Sequence, residues 1–389
     1  MKHLFPLIFL FLILTTACGD KAKDEPTPPP APQQPVSRTV LVYMVADNTL
    51  GNSGLDASDI REMTEATANG KLNGGRLLVY RNFPPTQLGN TPYMLEITAE
   101  GQKIVKDYPD EPSIYSVDPQ RITEVMADMK ELAPAEEYGL ILWSHANGWL
   151  GSPGGKYDDR YRAFGDDRGH HITLPTLAST LQGEKFSFIY FDCCLMGNIE
   201  TIYELRGLTS LMGAAPTELG VEGMPYDETL GYFFMSEPDI AGAARTTWEW
   251  YSSRGRECQL AAYDLTALPR FVDATRNVLA KAPNRYPDGI SNLQPYVKPG
   301  EYCHSYDMAD YYELLGADPE WRDALGQLVT WKAATPEGIG FLRIDTDRYC
   351  GLGTHAPRTP QDLTYRHYDD LAWCKDVIKI GNWELGIGN

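Results

Sequence analysis

The sequence is poor in positive charge. It has 34 Lys and Arg residues against 53 Asp and Glu residues, which gives a formal net charge of −19 at pH 7. Because proteins bind nucleic acids mainly by placing Lys and Arg against phosphates, this balance argues against a nucleic-acid partner. Cationic ligands would be attracted to such a surface, although acidity is also common in secreted proteins that have no cationic ligand.

The sequence also lacks the spacings of metal sites. It has no C-x-x-C pair and no His/Cys cluster with zinc spacing, so we predict no structural zinc. The Asp-rich stretch 158–167 has no EF-hand spacing, and no calcium site is predicted from it. The cysteines after residue 18 are even in number, which permits disulfides in an exported protein without determining their pairing; they are Cys193, Cys194, Cys258, Cys303, Cys350 and Cys374.

The apolar run at the N-terminus, Leu4–Leu14, is too short to span a bilayer and follows Lys2 and His3, as in a secretory signal. Thr15-Thr16-Ala17 before Cys18 resembles a bacterial lipobox, although Thr15 stands where Leu is preferred. We expect a signal peptide over 1–17 and a lipid on Cys18, which would anchor the protein to the bacterial cell envelope. An ordinary signal peptide is the alternative.

Residues 19–37 contain six prolines and are expected to form an extended tether, so that residues 18–37 comprise the lipidated cysteine and its linker. Lys23-Asp24-Glu25 resembles a surface-export tag, which would place the protein on the outer-membrane surface.

Strand-like and helical patterns alternate from residue 38 onward. Short apolar runs predict buried strands at 38–47, 76–80, 138–144, 186–191, 208–214 and 259–263. Asp118-Pro119 begins a helix whose apolar residues follow the amphipathic spacing. This alternation favours an α/β fold with a mainly parallel sheet flanked by helices.

We assign residues 38–265 to the core and residues 266–389 to a C-terminal α+β subdomain. Helices are predicted there at 266–280 and 318–331, and late strands at 338–344 and 351–355. Residues 150–172 show little periodicity and are predicted to be a long insertion in the core.

Two predicted strands end in residues that can carry chemistry. The strand at 186–191 runs into Asp192, Cys193 and Cys194, and a helical pattern follows. The strand at 138–144 runs into His145. Parallel strands place their carboxyl ends on one edge of the sheet, and a helix N-terminus favours a thiolate. A cysteine and a histidine that meet there could form a nucleophilic Cys-His pair.

Other interpretations of these residues remain open. A buried cysteine is common in protein cores, and a histidine can cap a sheet edge without reacting. His170 and His171 are rivals for the role of the base, but they lie in the insertion and have no predicted strand before them.

The segments around these residues resemble the clostripain family of cysteine peptidases. Asp192–Gly197 is similar to that family's D-A-C-L-M-G active-site segment, and Ser144–Trp149 is similar to its histidine segment. Further similarity lies at 40–48, 215–226 and 351–357, so the resemblance covers roughly residues 38–360. It implies a caspase-like fold.

The resemblance also implies roles for individual residues. Cys194 occupies the nucleophile position and Cys193 the preceding small-residue position, so one would face the cleft while the other packs. His145 would be the general base and acid in a reaction that passes through an acyl-thioenzyme. The Cys194 amide and an amide within 146–148 would bind the oxyanion.

Specificity and activation are likewise implied by the resemblance. Clostripain-like peptidases cut after Arg or Lys, which implies Asp192 as the acid of the primary pocket, with Glu222 and then Glu218 as a second acidic wall. Family members are often activated by cleavage within a stretch corresponding to 150–172, where Lys156 and Arg160 are the candidate sites. No cofactor is expected, although some relatives use calcium.

The expected protein is therefore a monomeric, lipid-anchored endopeptidase acting on proteins or peptides with basic residues. One alternative is a catalytically silent surface lipoprotein that uses the same fold to bind protein. It is motivated by Ala146 in place of the family's glycine and by the absence of the family's tryptophan near Met224. An amidase acting on peptidoglycan crosslinks is a third possibility.

Intact-mass measurement after incubation with an active-site-directed basic inhibitor tests these expectations. We expect one inhibitor per chain, bound to a cysteine, and two fragments that result from cleavage at Lys156 or Arg160. A single unlabelled chain would contradict both the reactive cysteine and the self-cleavage.

Overall fold

A computed structural model describes residues 35–84, 91–109, 113–149, 163–282, 284, 286–300 and 304–379. The predictions that concern the signal peptide, Cys18, the tether up to residue 34, Lys156 and Arg160 lie outside these ranges. The end of the predicted tether is strand instead, since the first strand begins at Val36. The described residues belong to one compact unit. In the described part of the chain, no helix combines the length and apolar character needed to cross a membrane.

Within the described residues, nine strands form one central sheet in the spatial order β12-β10-β9-β8-β5-β1-β2-β3-β4. The sheet strands are β1 Val36–Val45, β2 Arg76–Asn82, β3 Tyr93–Thr98, β4 Gly101–Asp107, β5 Ala135–Trp143, β8 Phe188–Asp192, β9 Leu211–Ala214, β10 Gln259–Asp264 and β12 Val329–Ala334. Short two-stranded pairs are made by β6 Phe164–Asp167 with β7 His170–Ile172, β11 Tyr306–Asp307 with β15 Gly353–Thr354, and β13 Glu337–Gly338 with β14 Leu342–Arg343.

The five strands at the centre of the sheet, β2-β1-β5-β8-β9, run parallel. The strands at both edges pair antiparallel. The predicted α/β class is therefore confirmed, and the sheet is mixed: its centre is parallel, as predicted, and its edges are antiparallel.

Helices cover both faces of the sheet. They are α1 Thr49–Asn52, α2 Leu55–Ala68, α3 Pro119–Leu132, α4 Leu174–Thr180, α5 Ile199–Glu204, α6 Tyr226–Thr229, α7 Ile240–Ser252, α8 Leu268–Lys281, α9 Met308–Leu314 and α10 Pro319–Leu328. Along β1, Leu41, Tyr43 and Val45 belong to the buried cluster that includes residues of α3 and α8. Val40, Val42 and Met44 belong to the cluster that includes residues of α2 and α7. Both faces of this strand are therefore buried, which explains why its sequence is an almost continuous run of apolar residues.

The register of the parallel strands places three strand ends side by side. Met44 pairs with Trp143 across β1 and β5, and Trp143 pairs with Asp192 across β5 and β8. The loops that follow β1, β5 and β8 consequently leave the sheet at the same edge, as the sequence predicts for a parallel arrangement.

Three helix or strand assignments beyond residue 266 were wrong in detail. The single strand predicted at 338–344 is instead the antiparallel pair β13 and β14, which a 3₁₀ turn at Ile339–Phe341 separates. The helix predicted over 318–331 ends at Leu328, and Val329 begins β12, which pairs antiparallel with β10 at the sheet edge. Residues Val329-Thr330-Trp331 suit a strand because β-branched and aromatic side chains pack well there. The predicted strand at 351–355 is reduced to β15, which lies outside the central sheet.

The insertion between His145 and Cys194 is more ordered near its end than the sequence indicated. Residues 164–172 form the β6–β7 hairpin, and Phe164 bridges Ala146 next to the histidine. The prediction of an unpatterned stretch over 150–172 is therefore wrong for this portion. The error arises because these strands are too short to show a period.

Two isoleucines allow a matched test of this core. Ile189 in β8 is fully buried, whereas Ile104 in β4 is 51% exposed. We expect Ile189→Ala to lower the free energy of unfolding by about 2–5 kcal/mol, because it removes buried methyl groups and leaves a cavity. Ile104→Ala should change it by roughly 0.5 kcal/mol or less. Chemical denaturation of both variants measures the difference, and equal losses would contradict the assigned core.

Candidate active site

A cleft of about 230 Å³ opens at the edge where β1, β5 and β8 end. It is lined by Leu50, Trp143, Ser144, His145, Asp192, Cys193, Cys194, Glu218, Leu219, Gly220, Val221, Gly223 and Ile339. The structure thus brings together His145, Cys194, Asp192 and Glu218, which the sequence had singled out on separate segments.

Cys194 is partly accessible, and its sulfur lies against the loop that follows β9. The Leu219 amide donates to Sγ at 3.4 Å, and Sγ lies 3.7 Å from the Leu219 carbonyl oxygen. The sulfur lies deep enough that burial raises the pKa of the thiol to about 11, and the Leu219 amide opposes this rise only in part. In this form of the protein the thiol is therefore protonated at neutral pH.

Cys193 occupies a different environment from its neighbour. It is 4% exposed and packs in the core shared with Met196 and Phe191, while Cys194 packs against Ala215 and Leu260. Burial raises the pKa of the Cys193 thiol well above its usual range. The two cysteines thus pack against different clusters, as alternation along an extended segment predicts.

The backbone turns sharply directly after Cys194. Leu195 has a φ of 63°, a left-handed conformation that side chains other than glycine rarely adopt, and its amide donates to the Thr217 carbonyl at 2.9 Å. Such a conformation persists only where surrounding contacts hold it, and it is frequent next to reactive residues. Here it turns the chain away from β8 and leaves Cys194 at the edge of the cleft.

His145 lies directly beyond β5 and is half-buried. Its Nε2 is 2.8 Å from Oγ1 of Thr49. Burial lowers the pKa of the imidazole, and the negative charge of Asp166 opposes this. The described contacts of His145 and Cys194 do not include a hydrogen bond between the two, so each is held separately at the cleft wall, the imidazole by Thr49 and the sulfur by Leu219.

Asp192 is 4% exposed and belongs to the floor of the cleft. Its oxygens accept hydrogen bonds from the Met224 amide at 3.0 Å and from the Tyr226 hydroxyl at 2.9 Å. Burial raises the pKa of Asp192 to about 6, against the lowering effect of these two donors. A Cβ at Gly223 would lie 2.9 Å from the Asp192 oxygens, so a glycine allows this loop to approach the carboxylate closely.

Two further acids lie behind Asp192, and the sequence did not reveal them. Asp59 accepts from the Trp143 indole at 2.6 Å, and Glu62 accepts from the Tyr226 amide at 3.0 Å. Burial raises the pKa of Asp59 to about 9, with a further rise from the charge of Asp192, and burial raises that of Glu62 to about 7. At pH 7 Asp59 is therefore neutral, while most of the Asp192 population is charged.

The two glutamates proposed for a second acidic wall differ in position. Glu218 lines the cleft and lies 3.2 Å from Nζ of Lys298. Glu222 instead pairs with Arg256 at 2.6 Å and is not among the described residues that line the cleft. Of the two glutamates, Glu218 is therefore the one that the structure places at the cleft.

The rival histidines do not enter the cleft described above. His170 stacks on Tyr115 with ring centroids 3.5 Å apart, and the ring of His171 bonds the Gly165 carbonyl through Nδ1. Their position on β7 was not expected, because the sequence did not predict the β6–β7 hairpin. His145 remains the histidine that shares the cleft with Cys194.

Neither a metal cluster nor a disulfide is found among the residues that the structure describes. No group of three or more His, Cys, Asp or Glu side chains there could hold a metal ion. Five described cysteines are free thiols: Cys193, Cys194, Cys258, Cys350 and Cys374. The calcium dependence considered from the sequence is not tested by these contacts.

Three residues that contact the candidate site were missed by the sequence analysis. Thr49 bonds His145, Tyr226 bonds Asp192, and Lys298 pairs with Glu218. Thr49 could have been found, because it follows the end of β1 at the same sheet edge. Lys298 could not, because no local pattern connects it with residue 218.

Comparison with known proteins gives one family and several similar structures. A sequence profile of the clostripain family matches residues 42–335. No curated protein matches the chain significantly. An inactive zymogen C11 protease from Parabacteroides distasonis is 26% identical, with a TM-score of 0.75, over 89% of this chain and 99% of that one. A secreted C11 cysteine protease from Bacteroides thetaiotaomicron, in complex with an irreversible peptide inhibitor, is 23% identical, with a TM-score of 0.74, over 87% of this chain and 98% of that one.

The profile match covers both strand ends that carry His145 and Cys194 and extends over most of the described core. The similarity to the zymogen structure extends further, to nearly the whole length of that protein. The chain therefore belongs to the clostripain family and is a cysteine peptidase.

Proposed function

We propose that this peptidase cleaves protein chains after Arg or Lys, with Cys194 as the nucleophile and His145 as the general base. The observation that carries the proposal is the shared cleft, in which a partly accessible thiol and a buried carboxylate from the end of β8 meet an imidazole from the end of β5. The family assignment supports peptidase activity over a catalytically silent binding protein.

The reaction begins with transfer of the Cys194 proton to His145. The thiolate then attacks the carbonyl carbon of the substrate, a C–S bond forms, and the carbonyl electrons move to oxygen. When this intermediate collapses, the C–N bond breaks and the leaving amine takes the proton from His145. Water, deprotonated by His145, hydrolyses the resulting thioester and restores the thiol.

The oxyanion formed in these steps needs backbone donors. The Asn147 amide already donates to the Ala163 carbonyl at 3.1 Å. This leaves the amides of Ala146 and Gly148 as the donors near the histidine, together with the Cys194 amide. Removing one donor of this kind costs roughly 10²–10³ in kcat in other acyl-transfer enzymes.

The resting form holds Cys194 and His145 as a neutral pair. Burial raises the pKa of the thiol and lowers that of the imidazole, so proton transfer in this form is uphill. The Leu219 amide already donates to Sγ and would stabilise the thiolate once it forms. We propose that bound substrate, or cleavage of the insertion, brings the two groups into direct contact. The second possibility is consistent with the similarity to a zymogen structure.

The walls of the cleft suit a long basic side chain. Leu50, Val221 and Ile339 are apolar and line the approach, while Asp192 lies on the floor. An Arg or Lys side chain can pack its aliphatic stem against the apolar wall and place its charged end near the carboxylate. Glu218 supplies additional negative charge at the rim.

Export and lipid anchoring are part of the proposal and rest on residues 1–37. The short apolar run, Cys18 and the proline-rich tether support them. Self-cleavage at Lys156 or Arg160, the absence of a cofactor, the calcium dependence and the monomeric state also stay predictions.

Cysteine substitutions test the nucleophile. We expect Cys194→Ala to abolish cleavage of an arginyl reporter, since no thiolate remains to attack. Cys193→Ala should retain much of the activity, because that side chain packs in the core. Thermal unfolding of both variants controls for folding. If Cys193→Ala abolished cleavage and Cys194→Ala did not, the assignment of the nucleophile would be reversed.

Substitution of Asp192 tests the origin of specificity. Asp192→Asn should lower kcat/KM for the arginyl reporter by roughly 10²–10³, since a buried charge partner is lost. The matched variant Glu222→Gln should stay within about twofold of the parent, because Glu222 pairs with Arg256 away from the cleft lining. A larger effect of Glu222→Gln than of Asp192→Asn would contradict the assigned pocket.

The pH dependence of KM gives an independent check. As the pH falls through about 6, Asp192 becomes protonated and loses its attraction for a cationic side chain. We therefore expect KM for the arginyl reporter to rise below pH 6 in the parent enzyme. In Asp192→Asn this rise should be absent. A parent KM that stays constant between pH 5 and pH 7 would show that Asp192 does not bind the basic side chain.

A further inference from the structure

We propose that Thr49 is the positioning residue of His145: its hydroxyl holds Nε2 of the imidazole, so that Nδ1 is the nitrogen that exchanges the proton with Cys194. The inference rests on the proposed role of His145 as the base. The observation behind it is the hydrogen bond of 2.8 Å between Thr49 Oγ1 and His145 Nε2.

Thr49 is well placed to fix a neighbouring side chain. It is the first residue of α1, and the Asn48 side chain caps that helix by accepting from the Leu50 amide. The Thr49 carbonyl accepts from the amide of Ser53 and from its hydroxyl. The hydroxyl of Thr49 therefore extends from a backbone that is held on both sides.

The segment before His145 is tied to the same frame. The Ser144 hydroxyl donates to the Val45 carbonyl at 2.7 Å, and the Asn48 amide group donates to that carbonyl at 2.9 Å. The side-chain amide of Asn48 also donates to the backbone carbonyl of Asp166 at 2.8 Å. The backbone amide of Asp166 in turn donates to the Ser144 hydroxyl at 3.1 Å. The chain segments that carry Thr49 and His145 are thus joined through the end of β1, which limits relative movement of the two side chains.

The chemistry of the imidazole explains what this bond achieves. A neutral imidazole carries one proton, and its second nitrogen holds the lone pair that accepts another. When Nε2–H donates to the Thr49 hydroxyl, the lone pair lies on Nδ1, the nitrogen left for the thiol proton. After Nδ1 has been protonated, the Nε2–H bond to the hydroxyl persists, so the ring keeps its orientation throughout the cycle.

A hydroxyl differs from the carboxylate that orients the histidine in a Ser-His-Asp triad. It carries no charge, so it fixes the ring without adding a strong electrostatic stabilisation of the imidazolium. Asp166 is the charged group that acts on His145 from the β6 side, and its carboxylate accepts from the Gly169 amide at 2.8 Å. Thr49 therefore supplies orientation, and Asp166 supplies the modest electrostatic contribution.

Kinetics of paired variants test the proposal. Thr49→Val keeps the shape of the side chain and removes the hydroxyl, so kcat for the arginyl reporter should fall by roughly 10- to 100-fold. KM should stay within about twofold, since Thr49 is not among the cleft-lining residues named above. Thr49→Ser should restore most of kcat. Thr330→Val, a change on the edge strand β12, is the matched control and should leave kcat unchanged.

A second measurement reports on the bond without relying on activity. In the Cys194→Ala background, the ¹⁵N shifts of the His145 ring should show the proton mainly on Nε2 at neutral pH. Adding Thr49→Val should produce a mixture of the two tautomers. If the parent protein cleaves nothing, the proposed function fails, and the tautomer measurement still decides whether Thr49 orients the ring.

Two results would overturn the inference. One is an unchanged tautomer ratio after Thr49→Val, which would show that the hydroxyl does not hold Nε2. The other is an equal loss of kcat in Thr49→Ser and Thr49→Val, which would show that the effect comes from altered packing of the side chain and not specifically from the hydroxyl. Thermal unfolding of each variant shows whether the fold is retained, and Thr49→Ala, which also removes the hydroxyl, replaces Thr49→Val if that variant unfolds.

Discussion

The candidate site depends on the register of three parallel strands. Met44, Trp143 and Asp192 pair across β1, β5 and β8, so the residues that follow each strand leave the sheet at one edge. A shift of one residue in this register would turn every side chain of a strand to the opposite face. The continuous apolar composition of β1 and β8 does not by itself prevent such a shift. Such a shift is prevented because alternate side chains pack into two separate cores, which are covered by different helices.

The electrostatics of the cleft follow from burial more than from neighbouring charges. Burial raises the pKa of Cys194, Asp192 and Asp59 and lowers that of His145. Burial therefore favours the neutral form of both the Cys194 thiol and the His145 imidazole, the proposed reacting groups. The same low-polarity surroundings strengthen the electrostatic attraction between the cleft and a charged group of the substrate, because water competes less for the interaction. A basic side chain that reaches Asp192 would consequently interact with it more strongly than at the protein surface.

Polar side chains from several loops hold the segment that carries His145. Asn48, Ser144 and Asp166 connect the loops after β1 and β5 through hydrogen bonds to the Val45 carbonyl and to one another. Thr49 extends this connection to the imidazole. The Tyr226 hydroxyl and the Met224 amide perform the corresponding task for Asp192. Both reactive strand ends are thus supported from loops distant in the sequence.

The sequence by itself determined the strands at the centre of the sheet and the strand-end positions of His145 and Cys194, because apolar runs and the residues that end them are local patterns. It did not reveal that Trp331 lies in a strand, since a short edge strand after a helix continues the same apolar spacing. Only the tertiary structure decided that Glu218 lines the cleft while Glu222 pairs with Arg256, and that Thr49 reaches His145. These outcomes depend on where loops from different strands meet, and the periodicity of a single segment carries no information about that.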